Sequence, residues 1–398
     1  MMDRTPQTQT TPWSGRSGLR FIVLFGVASF FSDMTYEGSR SITGPFLATL
    51  GASGLVVGIV SGLGEMLGYT LRLASGRTAD RSRLYWPIAL GGYVIQLPSV
   101  PLLALAGAWP IAGVLIVAER IGKAIRNPSR DVMLAQAGEH VGQGWAFGLH
   151  ASMDQAGALV GPLAVAGALA LWPNAYARAF AWLAVPAAAA LLSVFGLRLL
   201  FPRAGQVEKE ASPAATDRYP AVFWWYAAGA ALVAAGFSDF PLIAYHFAKA
   251  HVVNGLWVPI FYALASGAGG LAALLFGRLF DRRGLIVLLP LTVVTAAFAP
   301  LVFFGGFDIA LIGALLWGIG LGVHESVMSA AVTRMVPQQR RATAYGLFTA
   351  VFGIAWFIGS AIQGALYDVS VPALVIFAVV AQIAALVPLW VVMKGIPA

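Results

Sequence analysis

Along this chain the apolar residues come in long runs, and the polar residues gather into short breaks between them. At roughly 20 residues per membrane crossing, the runs predict twelve helical spans. Spans 1 to 6 fall at 20–48, 53–76, 86–106, 110–135, 146–172 and 175–200, and spans 7 to 12 at 221–248, 252–277, 285–306, 308–334, 343–366 and 371–393. Between them lies FPRAGQVEKEASPAATDRYP, residues 201–220, whose prolines, serine and mixed charges read as a linker. The expected architecture is an all-α membrane protein of two six-helix bundles, with a tail at 1–19, bundles at 20–200 and 221–398, and the linker at 201–220. The first span is too long and too charged for the apolar region of a signal peptide, so it is expected to stay as a spanning helix.

Composition agrees with that pattern. The chain is 59% hydrophobic and 11% charged, with mean hydropathy +0.78, whereas a soluble domain carries roughly a quarter charged residues. With the N-terminus placed inside, most of the 25 lysines and arginines fall in the tail, the even-numbered connections, the linker and the C-terminus, as the positive-inside rule requires. Both termini are therefore expected in the cytoplasm, with the chain in the cell (inner) membrane. The +8 charge is spread over short loops and reads as topology, not as a nucleic-acid face.

Several chemistries drop out. There is no cysteine, which excludes disulfides, iron–sulfur clusters and thiolate zinc sites. His140, His150, His246, His251 and His324 show no ligand spacing such as H-E-x-x-H, so no metal is expected. The phosphate cradle G-x-x-x-x-G-K-[ST] is missing as well. That points to an ion gradient or passive flow, with no cofactor beyond a proton gradient.

The two halves repeat one another. Gly-x-x-x-Asp-Arg stands at Gly76–Arg81 and again at Gly277–Arg282, about half the chain apart. Phe31-Ser32-Asp33 in span 1 recurs as Phe237-Ser238-Asp239 in span 7, and Ala146-Phe147-Gly148-Leu149 in span 5 as Ala344-Tyr345-Gly346-Leu347 in span 11. Such duplication suggests halves packed face to face around a functional path.

These motifs resemble the major facilitator superfamily, and the resemblance covers nearly the whole chain. That family carries G-x-x-x-D-R-x-G-R-[RK] between spans 2 and 3 and a weaker copy between spans 8 and 9. Gly76, Asp80 and Arg81 match, Arg83 stands where the second glycine is expected, and the second copy keeps its glycine at Gly284. The resemblance implies a cytoplasmic gate at Gly76, Asp80, Arg81, Gly277, Asp281 and Arg282, to which the turn expected after span 4, with Arg126, Arg130 and Asp131, is joined. An aspartate at a helix end can accept N–H bonds from a neighbouring helix N-terminus and pair with arginine, which makes a breakable latch. A plain topogenic turn is the alternative. In span 4 the family's proton-linked arginine aligns with Arg120. In span 5, Gly157, Gly161 and Pro162 are similar to the core of a signature associated with efflux antiporters, with Val165 where a further glycine is usual; small residues at this spacing also serve ordinary close packing.

Span 1 holds the sharpest chemistry. At 100° per residue Asp33, Tyr36, Glu37 and Arg40 fall on one stripe, and buried charges of this kind face a cavity or partners rather than lipid. Asp33 or Glu37 is expected to carry the proton, with Arg120 modulating it, because burial and a neighbouring arginine compete over the protonation state of a carboxylate. The alternative is a static pair of Glu37 with Arg40. Glu65, Asp154, Asp239, His324 and Glu325 are further cavity candidates, each with a structural role as the alternative, while the many aromatics read as interfacial anchors.

The expected function is secondary transport of a small organic solute by alternating access, most simply proton-coupled efflux, by a monomer in the bilayer. Proton-coupled uptake or uniport is the alternative within transport, and a non-transporting receptor or scaffold is the alternative of another class. No enzyme constellation is visible.

Overall fold

The computed structural model describes residues 15–139, 141–205, 219–324, 328, 331–332, 335–336 and 341–395. Among these residues all regular structure is helical. The first half contains Gly15–Thr49 (span 1), Gly54–Ser82 (span 2), Tyr85–Leu102 with a 3-10 turn at Leu103–Leu105 (span 3), Trp109–Gly138 (span 4), Gln143–Leu171 (span 5), and the pair Tyr176–Trp182 and Ala184–Leu200 (span 6). The second half contains Ala221–Gly236 and Phe240–Lys249 (span 7), Trp257–Arg283 (span 8), the 3-10 turn Gly284–Val287 with Leu288–Ala296 and Phe298–Phe304 (span 9), Phe307–Val323 (span 10), Arg341–Val369 (span 11) and Val371–Gly395 (span 12).

Polarity is inverted relative to a soluble protein. Large apolar side chains such as Leu105, Leu171, Leu192, Leu199 and Val369 stand exposed on the outside, while Arg40, Glu119, Arg120, Arg126 and Asp239 are buried. A bundle whose solvent is hydrocarbon requires this arrangement.

Spans 2 and 8 run six residues past their expected ends, at 82 and 283. Spans 2 and 8 continue through the Asp-Arg motifs, so both copies lie on helix rather than in a turn, and the chain reverses only at Arg83 (φ 57°) and Gly284 (φ 65°). The two copies therefore turn at positive φ at the same motif position, glycine in one and arginine in the other. Span 4 continues through Pro128 to Gly138, so Arg126, Arg130 and Asp131 are helical and do not form a turn. Proline cannot donate to the carbonyl four residues before it. Here the Ser75 hydroxyl of span 2 donates to that carbonyl, Ala124 O, at 2.9 Å, which satisfies the gap and lets the helix proceed.

Span 7 is broken where span 1 is continuous. The helix stops at Gly236, Phe237 and Asp239 are extended, and a second helix starts at Phe240 with Pro241 in its first turn. The freed carbonyls find side-chain donors: Gln363 Nε2 to Ala235 O at 2.9 Å, Gln382 Nε2 to Gly236 O at 3.3 Å and Trp317 Nε1 to Ser238 O at 2.8 Å. Non-helical backbone at this depth persists only when so satisfied.

Span 2 packs along span 11, span 5 along span 8, and span 1 along the second piece of span 7. These contacts join the halves. At the end where spans 1 and 2 connect the approach is tightest: a Cβ on Gly44 would strike the Pro241 carbonyl, and one on Gly58 the Ser360 carbonyl. Toward the opposite end a cavity opens between the halves.

Candidate functional site

The span 1 stripe faces inward as expected, but each of its members meets a different partner. Arg40 Nη2 lies 2.7 Å from Asp239 Oδ1 of span 7 and 3.2 Å from Glu65 Oε1 of span 2, while Arg120 Nη2 of span 4 approaches the same Glu65 oxygen at 3.0 Å. One chain of charge thus runs Arg120, Glu65, Arg40, Asp239, from the first half into the second. Glu37 does not take Arg40 as its partner; it accepts the hydroxyl of Tyr262 from span 8. The Tyr36 ring lies 3.6 Å from Lys123 Nζ and 4.5 Å from the Arg120 guanidinium.

The arginine beside Asp33 is Arg126, at 3.8 Å, and not Arg120. Arg126 had been expected at a cytoplasmic gate. It is fully buried, donating to Gln96 through Nε, to Tyr93 Oη at 3.0 Å and to Ser32 Oγ at 3.2 Å, and Gln96 in turn donates to Glu119 Oε1 at 2.9 Å. Neutral acceptors disperse its charge among spans 1, 3 and 4. Arg130 likewise turns inward, between Asp131 Oδ1 at 2.9 Å and Asp154 Oδ2 at 3.9 Å. His150 completes that corner, with Ser29 Oγ 2.7 Å from Nε2 and Asp154 Oδ2 3.4 Å from Nδ1.

These groups border a cavity of about 320 Å³, near the lower limit for small-molecule sites. Its first-half wall is charged, with Asp33, Arg72, Lys123, Arg130 and Asp154; its second-half wall is aromatic, with Tyr345, Phe348, Phe352 and Trp356 beside His324. A smaller space continuous in its lining reaches Glu37, Arg40, Glu65 and Arg120. Sequence reasoning missed the aromatic wall, although Phe348, Phe352 and Trp356 recur every four residues on span 11, which is one helix face. It also missed Tyr262 and Gln96. His324 lines the cavity and packs edge-on against Phe237 at 5.0 Å. Glu325 lies outside the described residues.

Gly157 and Gly161 let span 5 press on the Phe30 and Met34 carbonyls of span 1, with Pro162 buried beside them. Packing of this kind accounts for the small residues directly.

At the motif-bearing end, Asp80 accepts the hydroxyl of Tyr85 at 3.1 Å within its own loop. Arg81, Asp281 and Arg282 are exposed. Neither Gly76 nor Gly277 brings its span closer than ordinary van der Waals contact to a neighbour. Among the described residues that latch geometry is formed at the other end, where Asp368 of span 11 accepts Gly54 N at 2.8 Å and Leu55 N at 2.9 Å from the start of span 2. Tyr245 adds a second link across the halves, donating to Ala52 O at 3.0 Å.

The family model described as Major Facilitator Superfamily matches residues 25–360. An uncharacterized protein of Mycobacterium tuberculosis is 41% identical over 377 residues, covering 93% of this chain and 92% of its own. An uncharacterized MFS-type transporter of Methanocaldococcus jannaschii is 30% identical over 141 residues, 35% of each chain. Among solved structures, the nucleoside transporter NupG aligns with TM-score 0.74 at 13% identity over 94% of this chain and 98% of its own. A bacterial homolog to the human lysosomal transporter Spinster, inward-facing and unoccupied, aligns with TM-score 0.69 at 15% identity over 96% of both. At such identities the likeness concerns the fold.

Proposed function

The chain belongs to the Major Facilitator Superfamily, and on that premise we propose that it exports a small organic solute in exchange for protons, with Asp33 and Glu37 as the proton-carrying groups. It is a multi-pass membrane transporter of small molecules, with the twelve-span fold of that family, and not an enzyme. The proposal concerns its coupling, direction and orientation.

The observation that carries the coupling is the hydrogen bond from Tyr262 to Glu37 across the two halves, beside the Arg40–Asp239 pair. A hydrogen bond to a carboxylate is roughly twice as strong as one between neutral groups. Protonating Glu37 therefore turns a charge-assisted bond into a neutral one and loosens the joint between spans 1 and 8. Asp33 has the complementary position. It lines the cavity with Arg126 as its nearest cation at 3.8 Å, so a solute and a proton can contend for it. Arg120 acts at one remove, through Glu65 and Arg40.

Export is supported by the span 5 resemblance, since Gly157 and Gly161 seat that span on the segment carrying Asp33 and Glu37. The basic-loop distribution supports an inner-membrane orientation with both termini and the open end of the cavity toward the cytoplasm. Asp80, Arg81, Asp281 and Arg282 then form the inner gate, and the protein works as a monomer.

The test is proton-driven flux in proteoliposomes. Asp33→Asn and Glu37→Gln are each expected to lower uphill, pH-gradient-driven transport by about a hundredfold while retaining solute exchange at equal pH, as loss of one essential proton group implies. Undiminished gradient-driven flux in both variants rules out the assignment.

A further inference from the structure

The charged groups around the central cavity are mostly matched to one another, and the ones left over are of both signs. Lys123 has no carboxylate within 4.0 Å among the described residues; its ammonium rests on the Tyr36 ring. Arg72, which is exposed, lies over the Tyr69 ring at 5.6 Å and has no carboxylate within 4.0 Å among the described residues. On the acidic side, Asp33 has among the described residues one ion-pair contact, at 3.8 Å, and Asp154, held through Oδ2 by Arg130 at 3.9 Å and His150 at 3.4 Å, leaves Oδ1 buried without a hydrogen-bond partner among them. All four residues line the same cavity. Across from them stands the span 11 face of Phe348, Phe352 and Trp356, whose buried indole N–H also lacks an acceptor.

A charge that faces a cavity with its partners incomplete is costly, and a ligand that supplies the missing partners recovers that cost. An organic anion could complete Lys123 and Arg72 but would stand against Asp33 and Asp154. An organic cation meets the reverse conflict. Only a ligand carrying both charges answers both sets, and only one with a flat apolar body fills the aromatic wall.

We propose that this cavity binds zwitterionic solutes with an aromatic body, carboxylate toward Lys123 and Arg72, ammonium toward Asp33 and Asp154, and ring against Phe348, Phe352 and Trp356. The assignment rests on the reading of this cavity as the transport site. It also deepens that reading, because the ammonium of such a solute takes the place at Asp33 that the exchanged proton takes on the return stroke. Lys123 is then freed from its resting place on Tyr36 when the solute arrives.

Three ligands with one ring system separate the possibilities: L-tryptophan, indole-3-propionate, which lacks the ammonium, and tryptamine, which lacks the carboxylate. Binding to the purified full-length protein is measured by thermal shift and calorimetry. L-tryptophan is expected to bind, with each single-charge analogue weaker by at least about tenfold, since a site built to pair a group rejects the analogue lacking it. Lys123→Gln should erase the preference over tryptamine and keep the preference over indole-3-propionate; Asp33→Asn should do the opposite; Lys123→Arg should restore the parent pattern, separating lost charge from a damaged fold. Equal or tighter binding of either single-charge analogue, or no binding of L-tryptophan, overturns the proposal. Counterflow in proteoliposomes tells the two readings apart. A single-charge analogue that binds and exchanges across the bilayer leaves proton-coupled transport standing and removes the zwitterion assignment, whereas tight L-tryptophan binding with no proton-linked movement does the reverse.

Discussion

Arg83 and Gly284 hold the same post in the two motif copies, each at positive φ just after a helix end, Arg83 in the left-handed helical region and Gly284 outside it. A non-glycine residue there costs about 1 kcal/mol. Arg83→Gly is therefore expected to leave stability unchanged or raise it by up to about 1 kcal/mol, the upper end being set by the extra freedom that glycine gives the unfolded chain. Denaturation monitored by circular dichroism checks this, and a loss of more than that amount would mean that the Arg83 side chain makes an interaction worth more than the strain. Tyr262 bears on function at the same scale. Tyr262→Phe removes the hydroxyl that Glu37 accepts and keeps the ring that packs against Phe240 at 4.5 Å. Folding should be preserved, while the proton dependence of transport weakens. A variant with normal folding and an unaltered pH profile would separate the bond from coupling. The span 1 stripe was legible because four polar residues within eight positions can share a helix face, and nothing apolar competes for that reading. Their partners were not legible. Tyr262 and Asp239 lie about 200 residues away in the chain, and no local spacing links them to Glu37 or Arg40.

Two breaks in backbone hydrogen bonding shape the spans, and both are closed by side chains from other helices. Gln363 and Gln382 hold the freed carbonyls of span 7. Gln363→Leu leaves the Ala235 carbonyl buried and unpaired, and also removes the partner of Ser238. The expected loss is roughly 1–3 kcal/mol per orphaned group, read as a lower melting temperature, and an unchanged melting temperature would show that water or a neighbour takes over. Pro128 lies inside the expected span 4, and the distant Ser75 hydroxyl on Ala124 O shows how the helix carries on through it. Arg126 and Arg130 were counted with the basic residues of the cytoplasmic end, and their side chains turn inward instead. The number and order of spans survived, because they depend on apolar run length alone.

At the scale of the whole molecule, the halves meet tightly at one end and part at the other. Asp368 on the first N–H groups of span 2, Tyr245 on Ala52 O, and the close passage of Gly58 against Ser360 make up the tight end. Gly58→Trp cannot fit there and is expected to drive the population toward the state open at that end. Because the chain has no cysteine, a single Ser61→Cys in span 2 gives a labelling site without background, and its rate of modification by a membrane-impermeant maleimide should rise at least about tenfold in the Gly58→Trp background, as a shift of the two-state ratio requires. Equal labelling rates would place the moving seam elsewhere. Asp368→Asn should act in the same direction but more weakly, since an amide oxygen still accepts one of the two N–H bonds. The division of the cavity has a different kind of consequence. The acidic and basic residues that line the main cavity stand on the first half and the span 11 aromatic face on the second, so the charged lining and the parts that fit the body of the cargo can mutate separately. A few changes along one side of span 11 could adapt a lineage to new cargo while the proton machinery is inherited intact.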